Sequence, residues 1–363
     1  MSGALRDDAG TTAGDRDVGV SPSDALTIRD AIARAVAGTS LSEAEMSAVM
    51  GQMMDGEATP AQIASLLTAL RMKGETVDEL VGAARAMRAR MTPLRLPGPV
   101  VDTCGTGGDG LSTFNVSTAA ALIAAGAGVA VAKHGNRAVS GSVGGADVLE
   151  ALGVTVDLPP AGVARCLAEA GIGFCFAPRF HAAMRFAAAS RREIGIRTML
   201  NLLGPLSNPA GASAQLVGVF APRWTTVVAE ALGRLGTRRA LVVHGADGLD
   251  EVSASTETLV SEVAVDGVRT YHLRPSDFGI GAAGPAPRAA DAAASAAVIR
   301  GILAGEPGPA REVALVNAAA VLVLAARAAE WRDGYRQAEA AIVSGAAAAA
   351  LERLIATSRA VAA

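Results

Sequence analysis

Along the first quarter of the chain, polar residues recur just ahead of apolar runs of helical length. Ser42-x-x-Glu45, Thr59-Pro60-x-Gln62 and Thr76-x-x-Glu79 have capping-box form, in which a hydroxyl and an acid or amide three residues on satisfy each other's backbone N–H groups. Gly38, Gly56 and Gly74 close the preceding helices. The pattern predicts a small all-α unit of about four helices from Asp24 to about Met91. Met46, Met50, Met53 and Met54 fall on one helical face, which suits either packing inside the bundle or a subunit interface.

Pro93, Pro97 and Pro99 then mark a linker and a plausible hinge. Beyond it the period changes. Short Val-rich runs at Pro99–Asp102, Gly128–Ala132, Gly153–Val156, Ala214–Val219 and Arg239–His244 alternate with Ala- and Leu-rich helical stretches, the α/β signature of a central, mostly parallel sheet. The expected organisation is a leader over 1–23, a helical domain over 24–95 joined by helices near 181–205, and an α/β domain over 99–363.

Composition narrows the function. At 363 residues the chain can bury a large core and hold two structural units. A net charge of −3 argues against a nucleic-acid surface, which wants a basic face. Cys104, Cys166 and Cys175 are odd in number and lack C-x-x-C spacing, so neither a disulfide framework nor a thiolate zinc site is indicated and a reducing cytoplasm fits. The leader is rich in Asp, Gly, Thr and Ser without an apolar core, which reads as disorder rather than a signal peptide. The longest apolar run, Ala119 to Ala132, is broken by Gly126 and Gly128 and is too short to span a bilayer, so no membrane partner is expected.

The chemistry is concentrated between Pro99 and Asp147. The glycines of Gly105-Thr-Gly-Gly-Asp-Gly110 allow positive φ and close backbone approach, so the turn can wrap an oxyanion with N–H groups. Asn115-Val-Ser-Thr118 leads into an apolar helical run, placing Ser117 or Thr118 at a helix N-terminus, a second anion-binding device. The next strand candidate delivers Lys133-His134-Gly135-Asn136-Arg137 at its C-terminal edge, where open α/β sheets bind ligands, and adds two cations to the same rim. Gly105, Gly107 and Gly110 satisfy G-x-G-x-x-G, yet no acid lies between Asp109 and Asp147 to hold a ribose and no Gly-Lys-Ser/Thr follows. The reading is therefore a phosphate site of neither dinucleotide nor Walker type; against a merely tight turn stand Lys133, Asn136, Arg137 and Ser140. Further on, Arg185, Arg191 and Arg192 do not share one helical stripe, an arrangement in which at least one can point inward. Asp250 and Glu251 follow a strand end, where they are either solvated or bridge Mg²⁺ to a polyphosphate. From Asp291 onward Ala-rich helices run to the end without further site signals.

Gly105-Thr-Gly-Gly-Asp109, Asn115-Val-Ser-Thr118, Lys133-His-Gly-Asn-Arg-Ala-Val-Ser140, Arg191-Arg-Glu-x-Gly-Ile-Arg-Thr198, Asn201-Leu-Leu-Gly-Pro-Leu-Ser-Asn-Pro209 and His244-Gly-x-Asp-Gly-Leu-Asp-Glu251 together closely resemble the anthranilate phosphoribosyltransferase family, from about residue 24 to the C-terminus. The resemblance implies a helical domain that dimerises, an α/β domain like that of the pyrimidine nucleoside phosphorylases, and an active site at the hinge. It implies transfer of phosphoribose from 5-phosphoribosyl 1-diphosphate to anthranilate. By the same resemblance Gly105, Gly108, Asp109, Thr113, Asn115, Val116, Ser117 and Thr118 would hold the donor. So would Lys133, His134, Gly135, Asn136, Arg137, Ala138, Val139, Ser140 and Gly141. Asn136 and Arg191 would position anthranilate, while Ser117, Asp250 and Glu251 would bind Mg²⁺, as two ions. An aromatic amine is already a neutral nucleophile, so positioning suffices and no catalytic base is required. His134 would then line the acceptor pocket and Cys104 would pack. The chain departs from the family at Gly145, a donor position that often carries a hydroxyl, at Ala182 and Ala189 in place of prolines, and at Ser190 in place of Val. A related ribosyl transferase or phosphorylase with another acceptor, and a nucleic-acid-binding relative, are the alternatives.

Overall fold

A computed structural model of the chain describes residues 26–108, 110–138 and 143–362. The leader over 1–23, and Asp109, Val139, Ser140 and Gly141, lie outside the described residues.

Four helices open the fold: α1 (Ile28–Val36), α2 (Glu43–Met54), α3 (Pro60–Lys73) and α4 (Val77–Arg90). Each expected capping box forms, with the hydroxyls of Ser42, Thr59 and Thr76 accepting from the N–H groups of Glu45, Gln62 and Glu79 at 3.3 Å. Glu79 reaches further. Its buried carboxylate also accepts from the N–H of Leu41 at 2.9 Å and pairs with Lys73 at 3.0 Å, so the cap ties the α1–α2 and α3–α4 connections together. The methionine stripe is core: Met46, Met50, Met53 and Met54 are all buried, because α4 lies across α2 and Gly82 lets it approach so closely that a Cβ there would overlap the carbonyl of Glu43. That face is therefore not available to a partner subunit.

The second unit begins with β1 (Val101–Gly105), α5 (Val116–Gly126), β2 (Val131–Gly135), α6 (Gly145–Leu152), α7 (Pro160–Ala170) and β3 (Ile172–Phe176). The chain then returns to the bundle through α8 (Ala177–Phe180), α9 (Arg185–Ile194) and α10 (Leu200–Leu203), with α9 packed on α3 and α2 and α10 on α4. The sheet is completed by β4 (Ala214–Gly218), α11 (Trp224–Arg234), β5 (Arg239–Gly245) and the hairpin β6 (Thr258–Ala264) and β7 (Gly267–Leu273). Four helices close the chain: α12 (Ala292–Leu303), α13 (Pro309–Leu324), α14 (Trp331–Val343) and α15 (Ala346–Ala362). Among the described residues no single helix is long and apolar enough to cross a membrane.

The seven strands lie in the order β3-β2-β1-β4-β5-β6-β7; the β5–β6 and β6–β7 pairs are antiparallel and the other pairs parallel, so β6 alone runs against the rest. Alternation along the strands feeds two cores. Leu216, Leu241 and Val243 face the core built with α5 and α12 to α15, whereas Val217 and Val242 face α11 and merge with the methionine core of the bundle.

Two strand expectations are corrected. Val154 and Val156 are buried but join no ladder; the N–H of Thr155 donates instead to Ser358 of α15 at 3.1 Å, so the run is a buried connection. The second strand lies further along than expected, at Val131–Gly135, so Lys133, His134 and Gly135 are strand residues rather than rim residues. The strand β3 and the β6–β7 hairpin lie outside the expected strands, although Asp266-Gly267 between Val260, Val263 and Val268 is a local hairpin signal.

Candidate active site

The chain runs outward from β1 to β2 and β3, then crosses back to add β4 on the other side of β1. The order therefore reverses between β1 and β4, and ligands of open α/β sheets bind in that crevice, beyond the carboxyl ends of the strands. Both strands end there in glycine, Gly105 paired in register with Gly218. A Cβ on Gly105 would come within 2.7 Å of the Asp250 Oδ2, and one on Gly218 would overlap the Asp250 carbonyl. The two missing side chains make the space in which Asp250 lies. The N–H of Gly107 then donates to Asp250 Oδ2 at 3.0 Å, joining the glycine loop to the acidic loop. Gly107, Gly108 and Gly110 adopt positive φ of 62°, 81° and 81°, the conformation that only glycine takes at little cost.

The N-terminus of α5 enters from the same side. Asn115 caps it, its Oδ1 accepting from the N–H of Thr118 at 3.2 Å and from the Thr118 hydroxyl. Val116 and Ser117 are the first residues inside the helix, where free N–H groups favour an anion. Lys133 underlies this terminus. Its Nζ donates to Ser117 Oγ at 2.9 Å and to the Thr103 carbonyl at 2.7 Å, and only 3% of the residue is exposed. Burial pushes its ammonium pKa down, while the charges of Asp102 and Glu251 push it back up.

Alternation on β2 sends His134 to the opposite face from Lys133. Its Nδ1 lies 3.1 Å from the Gly204 carbonyl, and its ring is 5.0 Å from that of His181. Burial holds both imidazoles neutral, with pKa values lowered to about 4 for His134 and about 3 for His181. Cys104 is buried in the bundle-side core, and its thiol is pushed well up by burial. Arg191 on α9 is half-buried with its pKa lowered by burial alone, and no carboxylate among the described residues offsets that. Arg185 and Arg192 of the same helix are exposed.

Arg137 differs from expectation. Its guanidinium is taken by Asp147 at 3.1 Å and by Glu150 at 2.5 Å, so it fastens the β2–α6 connection and is not a free cation of the rim. The N–H of Ala138 donates to the same Asp147, and Asn136 stands exposed at the strand end with its Oδ1 on the N–H of Arg137. Gly135 lies under Phe174, 3.0 Å from where its Cβ would be, and Thr113 forms a backbone bridge with Arg288. Gly145 opens α6 with room to spare: a Cβ there would sit 3.7 Å from Lys133 Cε.

One cation beside the glycine loop had drawn no role from the sequence. Arg197 donates to the Gly108 carbonyl and lies over the Phe220 ring at 4.7 Å, which joins the segment after α9 to the loop after β1. Its signal was its place in the Arg-Arg-Glu-x-Gly-Ile-Arg-Thr motif.

Asp250 and Glu251 offer oxygen donors, and among the described residues no cluster of three or more His, Cys, Asp or Glu could hold a metal. A Mg²⁺ ion, which commonly takes one or two carboxylates together with waters and substrate phosphates, fits such a donor set.

Comparison with known proteins identifies the family and the fold. Residues 29–91 match the helical bundle domain of the glycosyl transferase family, and residues 97–348 match its a/b domain. The anthranilate phosphoribosyltransferase of Moorella thermoacetica is 57% identical over 327 residues, which covers 90% of this chain and 96% of that protein. The crystal structure of anthranilate phosphoribosyltransferase from Thermus thermophilus superposes with a TM-score of 0.85 at 45% identity, covering 91% of this chain and 99% of that one. The Saccharomyces cerevisiae enzyme, solved in complex with PRPP and Mg, superposes with a TM-score of 0.83 at 27% identity, covering 92% and 98%. The chain belongs to the anthranilate phosphoribosyltransferase family.

Proposed function

We propose that this protein transfers the phosphoribosyl group of 5-phosphoribosyl 1-diphosphate to the amine of anthranilate, giving N-(5-phosphoribosyl)anthranilate and pyrophosphate in tryptophan biosynthesis. The observation that carries this reading is the convergence of the glycine loop, the capped N-terminus of α5 and the acidic Asp250 loop at the β1/β4 crevice. Backbone N–H groups of the loop and of α5 bind the donor's phosphates and stabilise the charge that develops on the departing pyrophosphate. Mg²⁺ on Asp250, Glu251 and Ser117 supplies further neutralisation of that charge when bound; the PRPP and Mg held by the yeast relative support both ligands. Arg191 pairs with the anthranilate carboxylate and Asn136 contacts the ring, which aims the neutral amine at C1. As the C1–N bond forms, the C1–O bond pair leaves with pyrophosphate, and the acidic anilinium so formed gives up its proton to the departing pyrophosphate or to water. No general base is needed, and the neutral, buried His134 walls the acceptor side.

The donor residues carried over from the family, Gly105, Gly108, Thr113, Asn115 to Thr118, Lys133 to Ala138 and Gly145, belong to the same proposal, with Arg137 acting through its backbone. The helical unit pairs two subunits, on a surface other than the methionine stripe; Val36 of α1 and Met72 of α3, 74% and 83% exposed, are apolar groups suited to it. A monomer mass by light scattering at micromolar concentration would refute that. Three free, buried cysteines fit a cytoplasmic enzyme. Loss of anthranilate fluorescence on mixing with the donor and Mg²⁺ tests the activity. Turnover of other aminobenzoates with none of anthranilate would overturn the acceptor assignment.

A further inference from the structure

Asn317 lies in the middle of α13, between Val316 and Ala318, and is wholly buried in an otherwise apolar run. An amide there is costly unless its groups are bonded. All of them reach backbone. Its Oδ1 accepts from the N–H of Val252 at 3.0 Å, and its Nδ2 donates to the Val252 carbonyl and to the Val313 carbonyl, each at 2.8 Å. Val252 directly follows Asp250 and Glu251 and is itself buried. It lies past the end of β5, outside the β5–β6 ladder, so the side chain of α13 takes the place of a strand neighbour. The other end of the acidic loop is held against the sheet at Gly105, Gly107 and Gly218.

We propose that Asn317 is a positioning residue for metal binding: by clamping both backbone groups of Val252 it fixes the direction in which Asp250 and Glu251 leave the core. The proposal rests on the reading of those two carboxylates as the Mg²⁺ ligands. A carboxylate pair whose backbone is pinned on both sides binds a cation without first losing the entropy of the loop. Without the amide, the buried N–H and C=O of Val252 would have to seek water, and the loop would move with them.

The test measures metal binding without turnover, as the loss of the free Mn²⁺ electron paramagnetic resonance signal beyond that caused by the same concentration of pyrophosphate without protein. Asn317→Ala is expected to weaken Mn²⁺ binding at least tenfold and to raise the Mg²⁺ concentration for half-maximal rate by a similar factor, while the KM for anthranilate changes less than twofold. Asn317→Ser, whose hydroxyl can still reach the Val313 carbonyl one turn back, gives up only the Val252 bonds and should behave alike if the alanine variant does not fold. Leu315→Ala removes a fully buried side chain two residues from Asn317, which the helical period puts on the other side of α13, and should leave Mn²⁺ binding within twofold. Unchanged Mn²⁺ binding in the Asn317 variants, or an equal loss in Leu315→Ala, overturns the proposal. Failure of the unmodified protein to bind Mn²⁺ with pyrophosphate would instead overturn the carboxylate reading on which it rests.

Discussion

The Nζ of Lys133 bonds the hydroxyl of Ser117, joining the middle of β2 to the first turn of α5 at 2.9 Å. A cation is thus placed under the helix N-terminus, where it adds to the positive end of the helix dipole. Lys133→Met should abolish donor binding in the micromolar range and lower the unfolding free energy. Two charge-assisted bonds are lost and the buried Asp102 and Glu251 lose their counter-charge, so about 3 kcal/mol or more is expected. A urea titration and a donor KM check the two effects separately.

Asp250→Asn combined with Glu251→Gln keeps the shape of the acidic loop and removes its charge. Turnover should fall by a factor of about a thousand or more, the scale on which charge stabilisation of a leaving group acts, while the circular dichroism spectrum is unchanged. Mg²⁺-dependent activity retained in the double variant would refute the metal assignment.

Arg191 is a half-buried cation with no counter-ion among the described residues. Losing a charge-assisted contact costs about 1.5–3 kcal/mol, or roughly ten- to a hundredfold in kcat/KM. Arg191→Ala should therefore raise the KM for anthranilate at least tenfold and leave that of the donor nearly unchanged. An effect of twofold or less on anthranilate would show that Arg191 is not in the acceptor site.

Gly218 and Gly145 make opposite predictions. Gly218→Ala puts a methyl group into the Asp250 carbonyl and should displace the acidic loop, with loss of activity exceeding loss of stability. Gly145→Ser meets only ordinary contacts, 3.7 Å from Lys133 Cε and 3.9 Å from Thr118 Oγ1, so the fold should tolerate it and the donor KM should fall. Steady-state kinetics and melting temperatures of both variants decide.

The imidazoles of His134 and His181, held neutral by burial, set a pH dependence. Their pKa values are lowered to about 4 and about 3, below the unfolded value of about 6.5. In that interval the unfolded chain binds more protons than the native one, so stability rises with pH; it is present above about pH 6.5 and is lost as the pH falls toward 4. The raised pKa of buried Asp102 acts in the opposite sense just above the usual carboxylate range. Urea midpoints should drop between about pH 7 and pH 5 by an equivalent of about 2–4 kcal/mol. His181→Asn should flatten that drop by about half, and an unaltered slope would show that His181 is not buried neutral.

Much of the fold was legible because its signals are local. A capping box is decided within four residues, and Thr76 with Glu79 makes the same bonds in the protein that its spacing predicts. The glycines after β1 announce positive φ by residue type alone, and the family motifs are likewise short ordered strings. These features depend on neighbours in the chain, so the sequence by itself determined them, together with the mostly parallel sheet and the family.

What the tertiary structure decided are contacts between residues far apart in sequence. The methionine stripe could have faced a partner or a neighbouring helix, and the approach of α4 at Gly82 settled it. Arg137 carried a charge with no visible owner until α6 brought Asp147 and Glu150 beside it. A shift in the start of β2 moved Lys133 from the rim into the core, because a strand's limits are set by the neighbours it bonds to, here β1 and β3. Asp250 meets Gly107 across 143 residues of chain, and Asn317 meets Val252 across 65. No spacing rule reaches that far; a lone asparagine in an Ala-rich helix acquires meaning only once the fold sets a pair of otherwise unbonded backbone groups against it.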